Sequence, residues 1–220
     1  MSKRIGVILS GCGFKDGAEI HEAVITLLAL DRGGAEVKVM APNKSQMDVI
    51  NHKTDARTGE VRNAMTEAAR IARGSIVDIA EVKADELDGI ILPGGYGAAK
   101  NLVDFAVKGA DCTIHPEVDR LLNDMFRAKK PIGVECIAPA VLARALKGKG
   151  VKVKLTIGND AGTAKALEAL GAKHVNCAVG DIVVDEKHKV VSTPAYMLGP
   201  GIKDVAEGIE KLVAKVLEWA

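Results

Sequence analysis

Aromatic side chains are scarce, with three Phe, two Tyr and one Trp making 3% of the 220 residues. Stacking platforms for nucleobases are correspondingly few. Neither sign of charge is in excess, since 30 Lys and Arg against 29 Asp and Glu leave a net charge of +1. An interspersed, balanced surface offers no basic field for phosphates and no acidic tail, so no nucleic-acid partner is expected. Long apolar runs are also missing. The first one, Ile5-Gly-Val-Ile-Leu9, is too short for a signal-peptide core or a membrane span, which points to a cytoplasmic protein with no membrane partner. The four cysteines (Cys12, Cys112, Cys136, Cys177) lie far apart, with no Cys-x-x-Cys and no His at ligand spacing. Neither a zinc site nor a disulfide framework is indicated, and four free thiols in a reducing compartment are expected. No Pro/Ser/Gly-rich linker, internal repeat or low-complexity tract divides the chain, so residues 1–220 read as a single domain.

Short β-branched runs alternate with helical patterns along the whole length. Strands are expected at 5–9, 36–40, 75–80, 89–92, 131–134, 151–156, 181–184 and 190–192. Helices are expected at 17–32, 61–73, 116–128, 138–146, 161–170 and 202–219, and residues 186–189 read as a hairpin turn. This alternation specifies the α/β class: a single-domain, flavodoxin-like sandwich, a mostly parallel sheet with helices on both faces and a small antiparallel appendage. Asp16 and Glu19 stand at capping-box spacing before the first helix, and its body, Ala23-Val-Ile-Thr-Leu-Leu-Ala-Leu30, is apolar nearly all round. The sheet accounts for one side of such a helix. A second copy of the chain is the economical cover for the other, so a homodimer through this helix is expected. Residues 43–60 form a long, polar, irregular connection.

Sheets of this kind bind ligands outside the carboxyl ends of their strands, so the segments following strands carry the chemistry. The most informative is Pro131-Ile-Gly-Val-Glu-Cys-Ile-Ala-Pro-Ala140, in which a strand ends and a helix begins two residues after Cys136. A strand-to-helix elbow presents a side chain at the sheet edge, and the free N–H groups of the new helix favour a thiolate there. Cys136 is therefore a candidate nucleophile, against the alternative of one more buried packing cysteine. After 89–92 comes Pro93-Gly-Gly-Tyr-Gly97, whose Gly94, Gly95 and Gly97 leave backbone N–H groups free to face an oxyanion. The N–H of Ile137 is a second candidate donor. After the first strand comes Ser10-Gly-Cys-Gly-Phe-Lys-Asp-Gly-Ala-Glu-Ile-His-Glu22. Its Gly11-x-Gly13 invites a dinucleotide reading, but Asp16 stands where that fingerprint needs glycine and no ribose-binding acid ends the second strand. No Walker-type loop occurs, and no cofactor is implied.

Helix geometry alone does not decide among Glu19, His21 and Glu22. Glu19 is best used as a cap, whereas Glu22, on a shielded face, would be a desolvated carboxyl with a raised pKa beside the sulfur. His52, His115 and His188 read as surface residues and His174 as a satisfied structural one. Spacing places none of the histidines as a base for Cys136. Strand alternation sends Glu135 to the face opposite Cys136. Cys12 and Tyr196 complete the candidate pocket residues, the first as a second thiol and the second as a hydrogen-bond donor.

With Leu9-Ser-Gly-Cys-Gly-Phe-Lys-Asp-Gly-Ala-Glu-Ile-His-Glu22, Pro93-Gly-Gly-Tyr-Gly-Ala-Ala-Lys-Asn-Leu102, Cys136-Ile-Ala-Pro139 and Thr193-Pro-Ala-Tyr-Met197 in view, the chain resembles the ThiJ/PfpI superfamily, the class I glutamine amidotransferase-like fold. Asp48-Val-Ile-Asn-His52, Arg62-Asn63 and Ala68-Ala-Arg-Ile-Ala-Arg-Gly74 extend the likeness end to end and point to its ElbB type, also called enhancing lycopene biosynthesis or sigma cross-reacting proteins. The resemblance implies a nucleophile-elbow cysteine at Cys136, a first-helix glutamate at Glu22 that hydrogen-bonds the thiolate, and oxyanion donors at Gly95 and Ile137. It further implies a glutathione- and metal-independent glyoxalase acting on small α-oxoaldehydes such as glyoxal or methylglyoxal, or an apparent deglycase. Proteases of the superfamily carry His where this chain has Ile137, which sets proteolysis and glutamine hydrolysis aside. The competing expectation is a thiol redox sensor or chaperone-like stress module built on the same cysteine.

Overall fold

The computed structural model describes residues 2–220. Strands β1 (Arg4–Ile8), β2 (Glu36–Ala41), β3 (Val77–Asp78), β4 (Gly89–Leu92), β5 (Ile132–Glu135), β6 (Lys154–Leu155), β7 (Lys173–His174), β8 (Val183–Asp185) and β9 (Val190–Thr193) alternate with helices. The helices are α1 (Ile20–Arg32), α2 (Ala64–Ile71), α3 (Phe105–Lys108), α4 (Pro116–Arg127), α5 (Pro139–Leu146), α6 (Ala161–Ala169) and α7 (Ile202–Trp219). The main sheet runs β3-β2-β1-β4-β5-β9-β8, parallel throughout except for β8, which forms a hairpin with β9. β6 and β7 pair with each other outside it. This is the expected single-domain α/β arrangement, a mostly parallel sheet covered on both faces with a small antiparallel part.

Strand alternation sorts the core into two halves. Ile90 and Leu92 of β4 point into the layer capped by α4 and α5, while Ile91 points into the layer capped by α1 and α7. Close approach of α7 needs a glycine in β5, because a Cβ on Gly133 would stand 2.7 Å from Leu212 Cδ2.

Several expected elements are shorter than their patterns. The stretch 75–80 yields only the two residues of β3 before a 3-10 turn, and 151–156 yields only β6, which leaves the main sheet altogether. The capping box at Asp16 does not form. Gly11 and Gly13 take positive φ and the Gly13 N–H bonds Ala18 O, so residues 13–18 coil into a turn and α1 starts at Ile20. Glu19 caps that helix, accepting from the Glu22 N–H at 2.7 Å, and the Asp16 carboxylate instead accepts from the Ile50 N–H at 2.7 Å.

That second contact is one of several that hold residues 43–60 against the sheet edge. Asn101 accepts from the Met47 N–H at 2.9 Å and donates to Ser10 O and Asp16 O, while Lys100 forms a largely buried pair with Asp48. The apolar body of α1 is covered by the sheet and by α7, yet Ile20, Val24 and Leu28 stay exposed at helical spacing.

Candidate active site

Three segments converge at the carboxyl ends of β1, β4 and β5. Cys136, the first residue past β5, has φ +57°. A left-handed conformation costs a non-glycine residue about 1–3 kcal/mol, and here neighbouring contacts fix it. The Cys136 N–H donates to Thr193 O at 3.0 Å, tying the elbow to β9, and the Ala138 N–H closes the turn on Glu135 O at 2.8 Å. Pro139 then starts α5 at a position where a missing N–H is harmless.

The glycine turn after β4 presses directly on the sulfur. A Cβ on Gly94 would stand 2.5 Å from Cys136 Cβ and 3.0 Å from its Sγ, and Gly95, with φ +88°, would collide with the Glu19 N at 2.4 Å. Only bare backbone fits between the nucleophile and α1. The same turn is laced to the loop after β1 by Tyr96 N–H to Phe14 O at 2.7 Å and Gly97 N–H to Gly17 O at 2.8 Å.

Glu22, fully buried, reaches the sulfur from α1. Its carboxylate accepts from the Gly94 N–H at 2.8 Å and from the Tyr196 N–H at 3.2 Å, and it flanks the same glycine as the sulfur, since a Cβ on Gly94 would stand 2.9 Å from Glu22 Oε2 and 3.0 Å from Cys136 Sγ. Burial, followed by the nearby charge of Glu19, raises its pKa from 4.5 to about 7. Burial and then the Glu22 charge push the Cys136 thiol well above its ordinary value, while the Gly95 and Ile137 N–H groups pull it back down. The elbow was expected to lower this pKa outright; desolvation outweighs it because only 7% of the residue is exposed. The two groups compete for a single buried negative charge. When Glu22 holds the proton, its repulsion of a Cys136 thiolate vanishes, so protonation of one group favours ionisation of the other.

Glu135 departs from the expected geometry. Cys136 is not extended, so simple alternation ends at Glu135, whose Oε1 accepts from the Thr26 hydroxyl of α1 at 2.7 Å. It thus lies on the α1 side of the sheet, against Thr26, which is one helical turn along α1 from Glu22. Its second oxygen has no partner, and burial, reinforced by the Glu22 charge, raises its pKa well above 4.5. A protonated carboxyl is the state this environment favours.

Above the sulfur opens a cleft of about 710 Å³, walled by Phe14, Tyr96, Phe105, Ile137 and Met197, with Glu19, His21 and Tyr196 as polar members. Of the residues singled out from the sequence, Cys136, Gly95, Ile137 and Tyr196 line this cleft, and Glu22 and Gly94 back the sulfur from beneath. Cys12 is not among the lining residues: the turn at residues 13–18 lays its backbone against Gly17, and its side chain is half-buried within the field of Glu67. His115 and His188 are half-buried rather than surface residues, the latter bonded to Asp185 at 2.9 Å, and His174 accepts from the Ile157 N–H as a structural histidine. Sequence reasoning did not find the pairing of His21 Nδ1 with the Tyr196 hydroxyl at 2.7 Å, nor Phe105 and Thr163 in the wall. These residues are distant in the chain, and no spacing links them.

A strained cysteine elbow, a buried carboxyl and a glycine turn beside the sulfur meet at one edge of a mostly parallel α/β sheet. The chain belongs to the DJ-1/PfpI family, whose model matches residues 11–195. It is 49% identical to the human protein named glutamine amidotransferase-like class 1 domain-containing protein 3, mitochondrial, over 98% of this chain and 82% of that one. It is 34% identical to the zebrafish ES1 protein, mitochondrial, over 96% of this chain and 86% of that one. Among solved structures, the crystal structure of an isoprenoid biosynthesis protein with an amidotransferase-like domain from Ehrlichia chaffeensis superposes with a TM-score of 0.91. It is 40% identical, covering 99% of this chain and 100% of that one. The family includes glyoxalase and deglycase enzymes. These curated relatives are named mitochondrial, and no helix among the described residues is long and apolar enough to cross a membrane.

Proposed function

We propose that the protein is a cofactor-independent glyoxalase of the ElbB type, converting glyoxal or methylglyoxal to the corresponding 2-hydroxy acid. The observation that carries this reading is the fully buried Glu22 carboxyl packed with the Cys136 sulfur against Gly94, at the floor of a cleft that Gly95 and Ile137 line beside the same cysteine. The Cys136 thiolate adds to the aldehyde carbon, and the new oxyanion is stabilised by the Gly95 and Ile137 N–H groups. Glu22 then gives its proton to that oxygen, which forms the hemithioacetal and leaves a carboxylate base. This carboxylate removes the proton from the sulfur-bearing carbon and returns it to the neighbouring one through an enediol, while the hydroxyl proton of the first carbon passes to the oxygen of the second. The result is a 2-hydroxyacyl thioester on Cys136, which water hydrolyses. The apolar cleft walls accept the methyl group of methylglyoxal.

The exposed stripe Ile20, Val24 and Leu28 on α1 is the face through which we propose that two copies pair. Hydroxy-acid release from glyoxal without glutathione tests the enzyme reading, using wild type, Cys136→Ser and Glu22→Gln, all checked for folding. Turnover in wild type and its loss in both folded variants is the expected outcome. No turnover in wild type, with Cys136 the most peroxide-sensitive thiol, would replace the enzyme by the redox sensor.

A further inference from the structure

The glyoxalase reading leaves the second half of the reaction without a base. Glu22 sits behind the sulfur, fully buried and outside the cleft lining, where it serves the carbons attached to Cys136 but does not meet a water entering from the cleft mouth. Glu19 is committed to the helix cap through the Glu22 N–H. The Tyr96 and Thr163 hydroxyls of the cleft wall are too weakly basic to deprotonate water, which leaves His21 as the base, in contact with Tyr196. His21 Nδ1 and the Tyr196 hydroxyl are 2.7 Å apart, with ring centroids 5.7 Å apart at 45°.

The pair is built into the same framework as the nucleophile. Tyr196 follows Ala195, a non-glycine residue that like Cys136 has positive φ (+44°), at the carboxyl end of β9, the strand adjacent to that of Cys136. Its own N–H anchors Glu22 Oε1, so the backbone that positions the phenol also positions the acid. Burial and the charges of Glu19 and Glu22 raise the Tyr196 pKa, so the phenol keeps its proton. His21 is exposed, whereas Cys136 is 7% exposed. Water therefore reaches the imidazole at the cleft mouth.

We propose that His21 is the general base that hydrolyses the acyl-enzyme and that Tyr196 is its positioning residue, an inference that rests on the glyoxalase reading. In the tautomer whose Nδ1–H donates to the Tyr196 oxygen, Nε2 is free to accept a proton. Water gives a proton to Nε2 as its oxygen bonds to the thioester carbonyl, and the oxyanion forms on the Gly95 and Ile137 N–H groups. Collapse breaks the carbon–sulfur bond. The imidazolium proton passes to the departing Cys136 sulfur, and the 2-hydroxy acid leaves with the water oxygen.

The test uses the full chain with glyoxal and no glutathione, comparing wild type, His21→Ala and Tyr196→Phe. Hydroxylamine, added after acid quenching and removal of free glyoxal, is the trap, because only a thioester gives a hydroxamate whereas a hemithioacetal gives an oxime. The expected result for His21→Ala is up to one equivalent of trappable acyl-enzyme formed at the wild-type rate, with hydroxy-acid release slowed by about 100-fold and partly restored by added imidazole. Tyr196→Phe is expected to slow release by a smaller factor without slowing acylation. Release by His21→Ala at the wild-type rate, with no trappable intermediate, overturns the assignment and leaves the glyoxalase reading intact. Absence of both acylation and release in wild type removes that reading and this inference with it.

Discussion

Replacing Glu22 by Gln separates the energetic cost of the buried carboxyl from its chemical role. The Glu22 pKa rises from 4.5 to about 7 on folding, chiefly through burial. The folded state therefore holds a proton that the unfolded chain has already released, and stability falls as pH rises between those values. At about 1.4 kcal/mol per unit, the loss amounts to about 3 kcal/mol between roughly pH 4 and pH 8. Gln carries no charge, so the variant lacks this loss, but its amide turns one donor toward the Gly94 or Tyr196 N–H. One buried group then goes unpaired, at about 1–3 kcal/mol. The variant is accordingly expected to be less stable than wild type in acid and to approach or match it under mildly alkaline conditions. Glu135 is present in both proteins, and its contribution cancels to first order. Urea unfolding at closely spaced pH values measures the difference directly. Parallel stability curves for the two proteins across that range would refute the argument that Glu22 enters the fold as a neutral acid.

Gly94→Ala forces a methyl group to within 2.5 Å of Cys136 Cβ, so thiol alkylation and hydroxy-acid release should both drop sharply while the far-UV circular dichroism spectrum persists. Unchanged alkylation would mean that the glycine turn does not press on the sulfur. Asn101→Ala removes the acceptor for the Met47 N–H and the donors to Ser10 O and Asp16 O. On the order of 3 kcal/mol of stability should go with them, and limited proteolysis should then cut within residues 43–60. Thr26→Val strips Glu135 of its one hydrogen-bond partner at nearly constant volume and should cost about 1–3 kcal/mol in unfolding experiments with little effect on turnover.

Much of this architecture is visible in the chain because helix and strand periods alternate cleanly and glycine clusters follow β1 and β4. The elbow at Cys136 was legible from a β-type run ending two residues before a helical pattern, and the glycine turn from three glycines within Gly94 to Gly97. Short strands were not. β3 and β6 lie at the sheet margin or outside it, where tertiary pairing rather than local pattern sets their length. The Asp16 cap was misplaced because Gly11 and Gly13 permit positive φ, and the resulting turn competes with helix. The Glu135 orientation followed from alternation that stops at a left-handed residue, which no periodicity announces. The His21 and Tyr196 pair joins positions 175 residues apart, and only the fold brings them into contact.

The most direct test of the central claim is the number of moles of glycolate released per mole of wild-type protein from glyoxal, in the absence of glutathione. Catalysis through the Cys136 and Glu22 pair predicts a yield that rises far beyond one equivalent and continues until glyoxal is consumed. A yield that stops at or below one equivalent, with the adduct held on Cys136, would contradict catalysis and leave a reactive thiol that is modified without turnover.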